Sequence, residues 1–183
     1  MNYRDLPLEL ATPEALASFG ELVGPDTSKA MSQTGFYGEA VEQFQKPQFT
    51  SDADTCLSVV RVHVRPLEVT WMERHLKHTQ VFIPLNTKSY AVVVAPPSTS
   101  ELPNLVQARA FKFYGDKGFM MNIGTWHEFP FSLDGTLDMV VILRNETHKN
   151  LETIIDGEAI GADLEKRNIQ KQFGLNLRVI RQI

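Results

Sequence analysis

The sequence predicts an all-β fold, closed as a barrel or a sandwich, with one short helix near each end. Short runs rich in β-branched and aromatic residues recur through the middle of the chain, broken at Arg65-Pro66, Ala95 to Pro103, Gly115 to Gly118 and Asp134-Gly135. No glycine-rich strand-to-helix loop is present, and the alternation of strand and helix that marks a doubly wound sheet is missing.

Near the start, Thr12 is a capping residue, Pro13 suits the first helical position and Gly20 ends the turn, which predicts a helix over 13–19. The first strand spans Cys56 to Val64, with Val60, Val62 and Val64 on one face and Val59, Arg61 and His63 on the other. Further strands are expected at Val69 to His75, Thr79 to Pro84, Ser89 to Ala95, Ala108 to Phe113, Phe119 to Ile123 and Asp138 to Asn145. Asp163 as cap and Gly174 as terminator predict a second helix over 164–173, with Leu164, Ile169 and Phe173 on its apolar side. One domain over 1–183 is expected: helix and arm in 1–50, barrel in 51–157, helix and tail in 158–183.

A chain of 183 residues suits one domain that buries roughly 70% of its unfolded surface. Lys and Arg total 18 and Asp and Glu total 22, a formal net charge of -4. That balance argues against a nucleic-acid partner and supplies no polybasic membrane patch. A single cysteine, Cys56, precludes an internal disulfide and suits a reducing compartment. Met1 to Leu10 has no apolar segment of the secretory kind. The longest apolar runs, Ala91 to Ala95 and Met139 to Leu143, fall far short of the ~20 residues of a membrane helix. A cytoplasmic protein is expected.

Two polar clusters stand out. In Glu73-Arg74-His75-Leu76-Lys77-His78-Thr79-Gln80, strand alternation puts Glu73 and His75 on one side. Some fifty residues later comes Asn122-Ile123-Gly124-Thr125-Trp126-His127-Glu128. Carboxylate, imidazole and amide groups converging from neighbouring strands suit a divalent cation held by nitrogen and oxygen, or direct acid–base chemistry. The plain alternatives are a solvated strand edge for Glu73 and His75, and a histidine satisfied by a backbone carbonyl at His127. His78 reads as a turn residue, His148 as exposed and Cys56 as an inert filler. Arg61 suits a substrate carboxylate if its face lines a cavity, and is an ordinary surface residue if it does not.

Glu73-x-His75 followed by Gln80, with Gly124-Thr125-Trp126-His127, resembles a degenerate pair of cupin motifs. More specifically, Glu73-Arg74-His75 and Thr79-Gln80-Val81-Phe82-Ile83-Pro84 closely resemble the signature of the ureidoglycolate lyase family. Gly118 to Phe131 is similar to that family's second segment, Phe19 to Val23 to its N-terminal helix exit, and Arg61 occupies a family-like position. The resemblance spans about residues 6–145. It implies a cupin-type double-stranded β-helix barrel that forms a homodimer. It implies a carbon–nitrogen lyase of the amidine-lyase type, cleaving (S)-ureidoglycolate to glyoxylate and urea in allantoin and purine catabolism. Nickel is the implied cofactor, with manganese or zinc behind it, and no organic cofactor is expected.

Read with the residues, the resemblance makes Glu73, His75 and His127 the candidate catalytic groups. Arg61, Arg74, Gln80 and Trp126 are candidates for binding substrate, and Glu73, His75, Gln80 and His127 for holding a metal ion. Three departures stand beside the match. Arg144-Asn145-Glu146 replaces the family's usual segment after the last barrel strand, Leu175 to Ile183 extends beyond the family's short tail, and Ser32 to Gln45 lacks an expected basic residue. They leave open a cupin paralogue that acts on, or only binds, another small 2-hydroxy or 2-oxo acid. A metal-dependent cupin isomerase or oxygenase is a further alternative.

Overall fold

The computed structural model describes residues 2–25, 32–44, 47–154 and 157–181, so part of the Ser32 to Gln45 segment and the last two residues of the tail lie outside it. The protein is all-β with short helices, in two main sheets. The five-stranded sheet runs Gly20–Val23, Gly118–Met121, Gln80–Pro84, Leu137–Arg144, Thr55–Val62. The larger sheet runs Ala159–Ile160, Leu164–Asn168, Trp71–His75, Trp126–His127, Tyr90–Ala95, Arg109–Phe113, Tyr3–Leu10, Asn176–Ile180, Glu68–Val69, with Phe131–Ser132 also paired to Tyr90–Ala95. Glu68–Val69 ends that path, yet Thr70 alone separates it in sequence from Trp71–His75 near the other end. The large sheet therefore curls back on itself.

Two cores follow from side-chain alternation on strands buried on both faces. In Tyr90–Ala95, Tyr90, Val92 and Val94 enter the core between the two sheets, joined by Phe82, Phe111, Phe119 and Met139. Ala91, Val93 and Ala95 enter a second core inside the curl of the large sheet, with Val69, Met72, Trp126, Ile169 and Leu177. The continuous apolar run that reads as one strand in the sequence is the wall between the cores.

Three expectations change. The Val69 to His75 run breaks at Thr70 into two strands at different places in the sheet. The helix expected over 13–19 is a single turn, Pro13–Leu16, with Thr12 Oγ1 accepting from Ala15 N at 3.2 Å. The helix expected over 164–173 is a strand in its first half and a helix in its second. Leu164–Asn168 pairs antiparallel with Trp71–His75, and only Ile169–Phe173 is helical, capped by Asn168 and ended by Gly174 at φ 71°. Leu164, Glu165 and Arg167 alternate poorly for a helix but bury well against the exposed backbone edge of Trp71–His75, and tertiary pairing overrides local propensity. Tyr3–Leu10, flanked in parallel by Arg109–Phe113 and Asn176–Ile180, and the helix Asn145–Thr153 were not legible from periodicity. No helix among the described residues is long and apolar enough to cross a membrane.

Phe111 is fully buried and meets Phe19 edge-on at 5.6 Å between ring centroids. Phe111→Ala should therefore destabilise the fold by about 3–5 kcal/mol, read from the urea unfolding midpoint with an unchanged slope. A loss below about 1 kcal/mol would place Phe111 outside a packed core.

Candidate active site

Alternation along Trp71–His75 divides its side chains. Met72 and Arg74 face the second core, where the Arg74 guanidinium lies 4.6 Å from the Trp126 ring. Glu73 and His75 face the other way. His127 is the direct cross-strand partner of Glu73, and its own neighbour Trp126 is buried in the second core. Backbone register thus brings Glu73, His75 and His127 together across a sequence gap of some fifty residues, with candidate ligand atoms all within 4.8 Å of one another.

The His127 Nδ1 lies 3.0 Å from the Thr125 carbonyl, a contact in which the imidazole donates. This leaves Nε2 facing Glu73 Oε1 at 3.6 Å, too long for a hydrogen bond. His75 is buried with neither ring nitrogen hydrogen-bonded, and the buried Gln80 Oε1 and His127 Nε2 also lack partners among the described residues. An unpaired buried polar group costs about 1–3 kcal/mol, so the open nitrogens of His75 and His127 beside Glu73 mark a site built for something else to fill. Nitrogen and oxygen donors of this kind suit a divalent cation.

Burial opposes the charge on Glu73, but His127, His75 and Lys166 outweigh it and hold the carboxyl below the ordinary carboxylate range. Burial, reinforced by His127, pushes the His75 imidazole down to about 3, so it is neutral near neutral pH. His78, expected in a turn, is buried instead. Its ring stacks on His75 at 4.7 Å, and its Nδ1 lies 3.3 Å from Asp163. Asp163 also accepts from Lys77 N at 2.8 Å and from the Thr147 hydroxyl. Burial acts against the charged form of Asp163, yet the bonds from His78 and Thr147 hold its carboxyl well below the usual range.

A cavity of about 350 Å³ opens beside the cluster, lined by Trp71, Met72, Glu73, His127, Glu128, Phe129, Leu151 and Lys166. Burial lifts the Glu128 carboxyl above the ordinary range; Arg65, 3.1 Å away, pulls it down and Glu73 pushes it up, with a net upward shift. One cavity therefore holds two carboxyl groups displaced in opposite directions.

The other residues singled out in the sequence fall elsewhere. Arg61 takes the surface alternative: it is exposed, and its fork is closed on Asp138 at 2.7 and 2.9 Å. Arg74 is buried behind the strand, paired with Glu165 at 2.6 Å and donating to the Ser98 carbonyl at 2.7 Å. Trp126 belongs to the second core, and the indole lining the cavity is Trp71. Sequence reading missed Lys166, because 164–173 reads as a helix. It also passed over Glu128, although that residue lies within the second polar cluster.

A family model described as Ureidoglycolate lyase matches residues 3–162. The ureidoglycolate lyase of Pseudomonas fluorescens (strain SBW25) is 31% identical over 156 residues, 81% of this chain and 90% of that protein. That of Pseudomonas putida (strain GB-1) is 30% identical with the same coverage, and that of Burkholderia cepacia 33% identical over 153 residues, 81% of this chain and 85% of the other. Among solved structures, a Bacillus subtilis oxalate decarboxylase overlaps 63% of this chain and 34% of its own, at 11% identity and a TM-score of 0.37, a partial overlap that decides nothing about this chain.

Asp163→Asn should destabilise the protein at neutral pH by on the order of 1–3 kcal/mol, because the amide keeps one acceptor for Lys77 N and His78 but removes the charge and sets an NH2 donor against the Thr147 hydroxyl. The stability that the Asp163 carboxylate contributes is present above its unfolded pKa of about 3.9 and is lost as pH falls toward its lower folded value. The unfolding midpoint of the wild type should thus drop more steeply than that of the variant below about pH 4. Equal acid slopes would contradict this role.

Proposed function

We propose that this chain, which belongs to the ureidoglycolate lyase family, cleaves (S)-ureidoglycolate to glyoxylate and urea. The observation that carries the reading is the pair of carboxyl groups, Glu73 and Glu128, held on opposite sides of the ordinary range within one cavity. Separated values in a shared site are the pattern of an acid–base pair.

The substrate is a hemiaminal: one carbon carries a hydroxyl, a carboxylate and a urea nitrogen. Glu73, kept ionised, takes the hydroxyl proton. The O–H electron pair becomes the carbonyl bond of glyoxylate as the C–N bond breaks. Glu128, whose carboxyl is shifted toward the protonated form, gives a proton to the departing nitrogen, which leaves as urea. No electrons are exchanged with a cofactor. His127 stands against Glu73 and steadies its charge, and Phe129, Leu151 and Trp71 limit water around the reacting groups. Glu73, His75 and His127, with Gln80, would hold a divalent ion, nickel before manganese or zinc, and the bound ion would polarise the substrate hydroxyl.

The chain acts within allantoin and purine breakdown in the cytoplasm, as a homodimer. The outer strand Thr55–Val62 leaves Leu57 and Val59 about two-thirds exposed, at 65% and 66%, a surface that suits a second subunit.

The deciding experiment is release of glyoxylate and urea from (S)-ureidoglycolate by the purified protein, with and without added Ni²⁺ or Mn²⁺. Release of neither product under any condition overturns the reading. Glu73→Gln and Glu128→Gln should each lower kcat by about 10²–10⁴-fold. In the wild type kcat/KM should fall on the acid side as Glu73 protonates and on the alkaline side as Glu128 ionises. Glu128→Gln should flatten the alkaline limb alone, and an unchanged limb would remove Glu128 from the proton transfer.

A further inference from the structure

Cleavage of ureidoglycolate needs a cation for the substrate carboxylate, and the two arginines singled out in the sequence are committed elsewhere. Arg61 is closed on Asp138 at the surface, and Arg74 is buried against Glu165 behind the strand. Arg65 reaches the neighbourhood but is engaged by Glu128 and by the Phe129 carbonyl at 2.8 Å. Lys166 is placed differently. It lines the cavity, it is the direct cross-strand partner of Glu73 and favours that carboxylate's charge, and its ammonium is closed in no hydrogen bond or ion pair among the described residues. Its Nζ lies 5.3 Å from the centroid of Trp71, the aromatic wall of the same cavity.

Lys166 also lies outside residues 3–162, the part of the chain that matches the family model. It reaches the site because Leu164–Asn168 pairs with Trp71–His75, and the Glu165–Arg74 ion pair sits on the other face of that pairing. Strand alternation then fixes Lys166 on the cavity side, next to the proposed base.

Resting on the proposed lyase reading, we propose that Lys166 is the anchor for the substrate carboxylate, so that the segment beyond residue 162 supplies the group that makes this site specific for a hemiaminal bearing an acid. The ammonium gives a point-charge contact to the carboxylate, Trp71 confines it, and the hydroxyl that loses its proton and the C–N bond that breaks are left toward Glu73 and Glu128.

The test compares Lys166→Met, Lys166→Arg and wild type on two substrates: (S)-ureidoglycolate, and N-(hydroxymethyl)urea, a hemiaminal that lacks the carboxylate. For ureidoglycolate, Lys166→Met should raise KM about 10- to 100-fold, the worth of a hydrogen bond to a charged group, with a smaller effect on kcat and partial recovery in Lys166→Arg. For N-(hydroxymethyl)urea, Lys166→Met should lower kcat/KM at least about 10-fold less than it does for ureidoglycolate, the remaining loss being the part of Lys166 that favours the charge on Glu73. Equal losses on both substrates would show that Lys166 acts through Glu73 or through the fold, and would overturn the proposal. If the wild type cleaves neither substrate, the lyase reading fails, and calorimetric titration with glyoxylate decides the anchor separately. Binding by wild type that weakens at least 10-fold in Lys166→Met supports it; unchanged binding, or no binding by wild type, overturns it.

Discussion

The site depends on one constraint: the strand Trp71–His75 is packed into the core on one face, lines the cavity on the other and is paired on both edges. On one face Met72 and Arg74 pack into the second core. Their burial fixes the rotation of the strand, because a slip of one residue would exchange the two faces. Glu73 and His75 are therefore held inward by apolar packing that does not touch them. The Arg74–Glu165 pair strengthens this constraint. Two buried charges satisfied by each other cannot separate without a cost of about 3–5 kcal/mol, so the strand carrying Lys166 stays in register with the strand carrying Glu73.

That arrangement explains how so many polar groups tolerate burial. His75 is neutral, Asp163 is saturated by Lys77 N, His78 and Thr147, and Glu73 is surrounded by groups that favour its charge. Within the cluster, what stays without a hydrogen-bond partner among the described residues includes both ring nitrogens of His75 and the Nε2 of His127, which face Glu73. Asp163 fixes the Nδ1 side of His78 from behind, the outer-shell role that carboxylates commonly play next to ligating or catalytic imidazoles.

Much of this was readable before the fold was known. Period-two spacing put Glu73 and His75 on one side, the short β-branched runs became strands, and the similarity of Glu73 to Pro84 and Gly118 to Phe131 to known lyases pointed to the cavity. What failed did so for identifiable reasons. Arg61 alternates with Val60 and Val62, but a pattern alone does not say which face is outside. His78 follows a strand end and reads as a turn until Asp163, eighty-five residues away, closes over it. Leu164 to Asn168 carries caps and a terminator that favour a helix, and becomes a strand because an open edge of Trp71–His75 awaits it. Lys166 could not be identified as a cavity residue until that pairing was known.

The division of labour between the two carboxyl groups follows from their surroundings rather than from their chemistry. Both are glutamates, and both are shielded from water. Glu73 stands among two imidazoles and an ammonium, so its charge is welcome. Glu128 has a single cation, Arg65, shared with a backbone carbonyl, and faces the charge already on Glu73. Two like charges in one low-dielectric cavity repel, so ionising the first raises the cost of ionising the second. The charge on Glu73 thus favours keeping a proton on Glu128, the proton that the proposed reaction delivers to nitrogen. In the proposed reaction one proton passes onto Glu73 and one leaves Glu128, which inverts the pair.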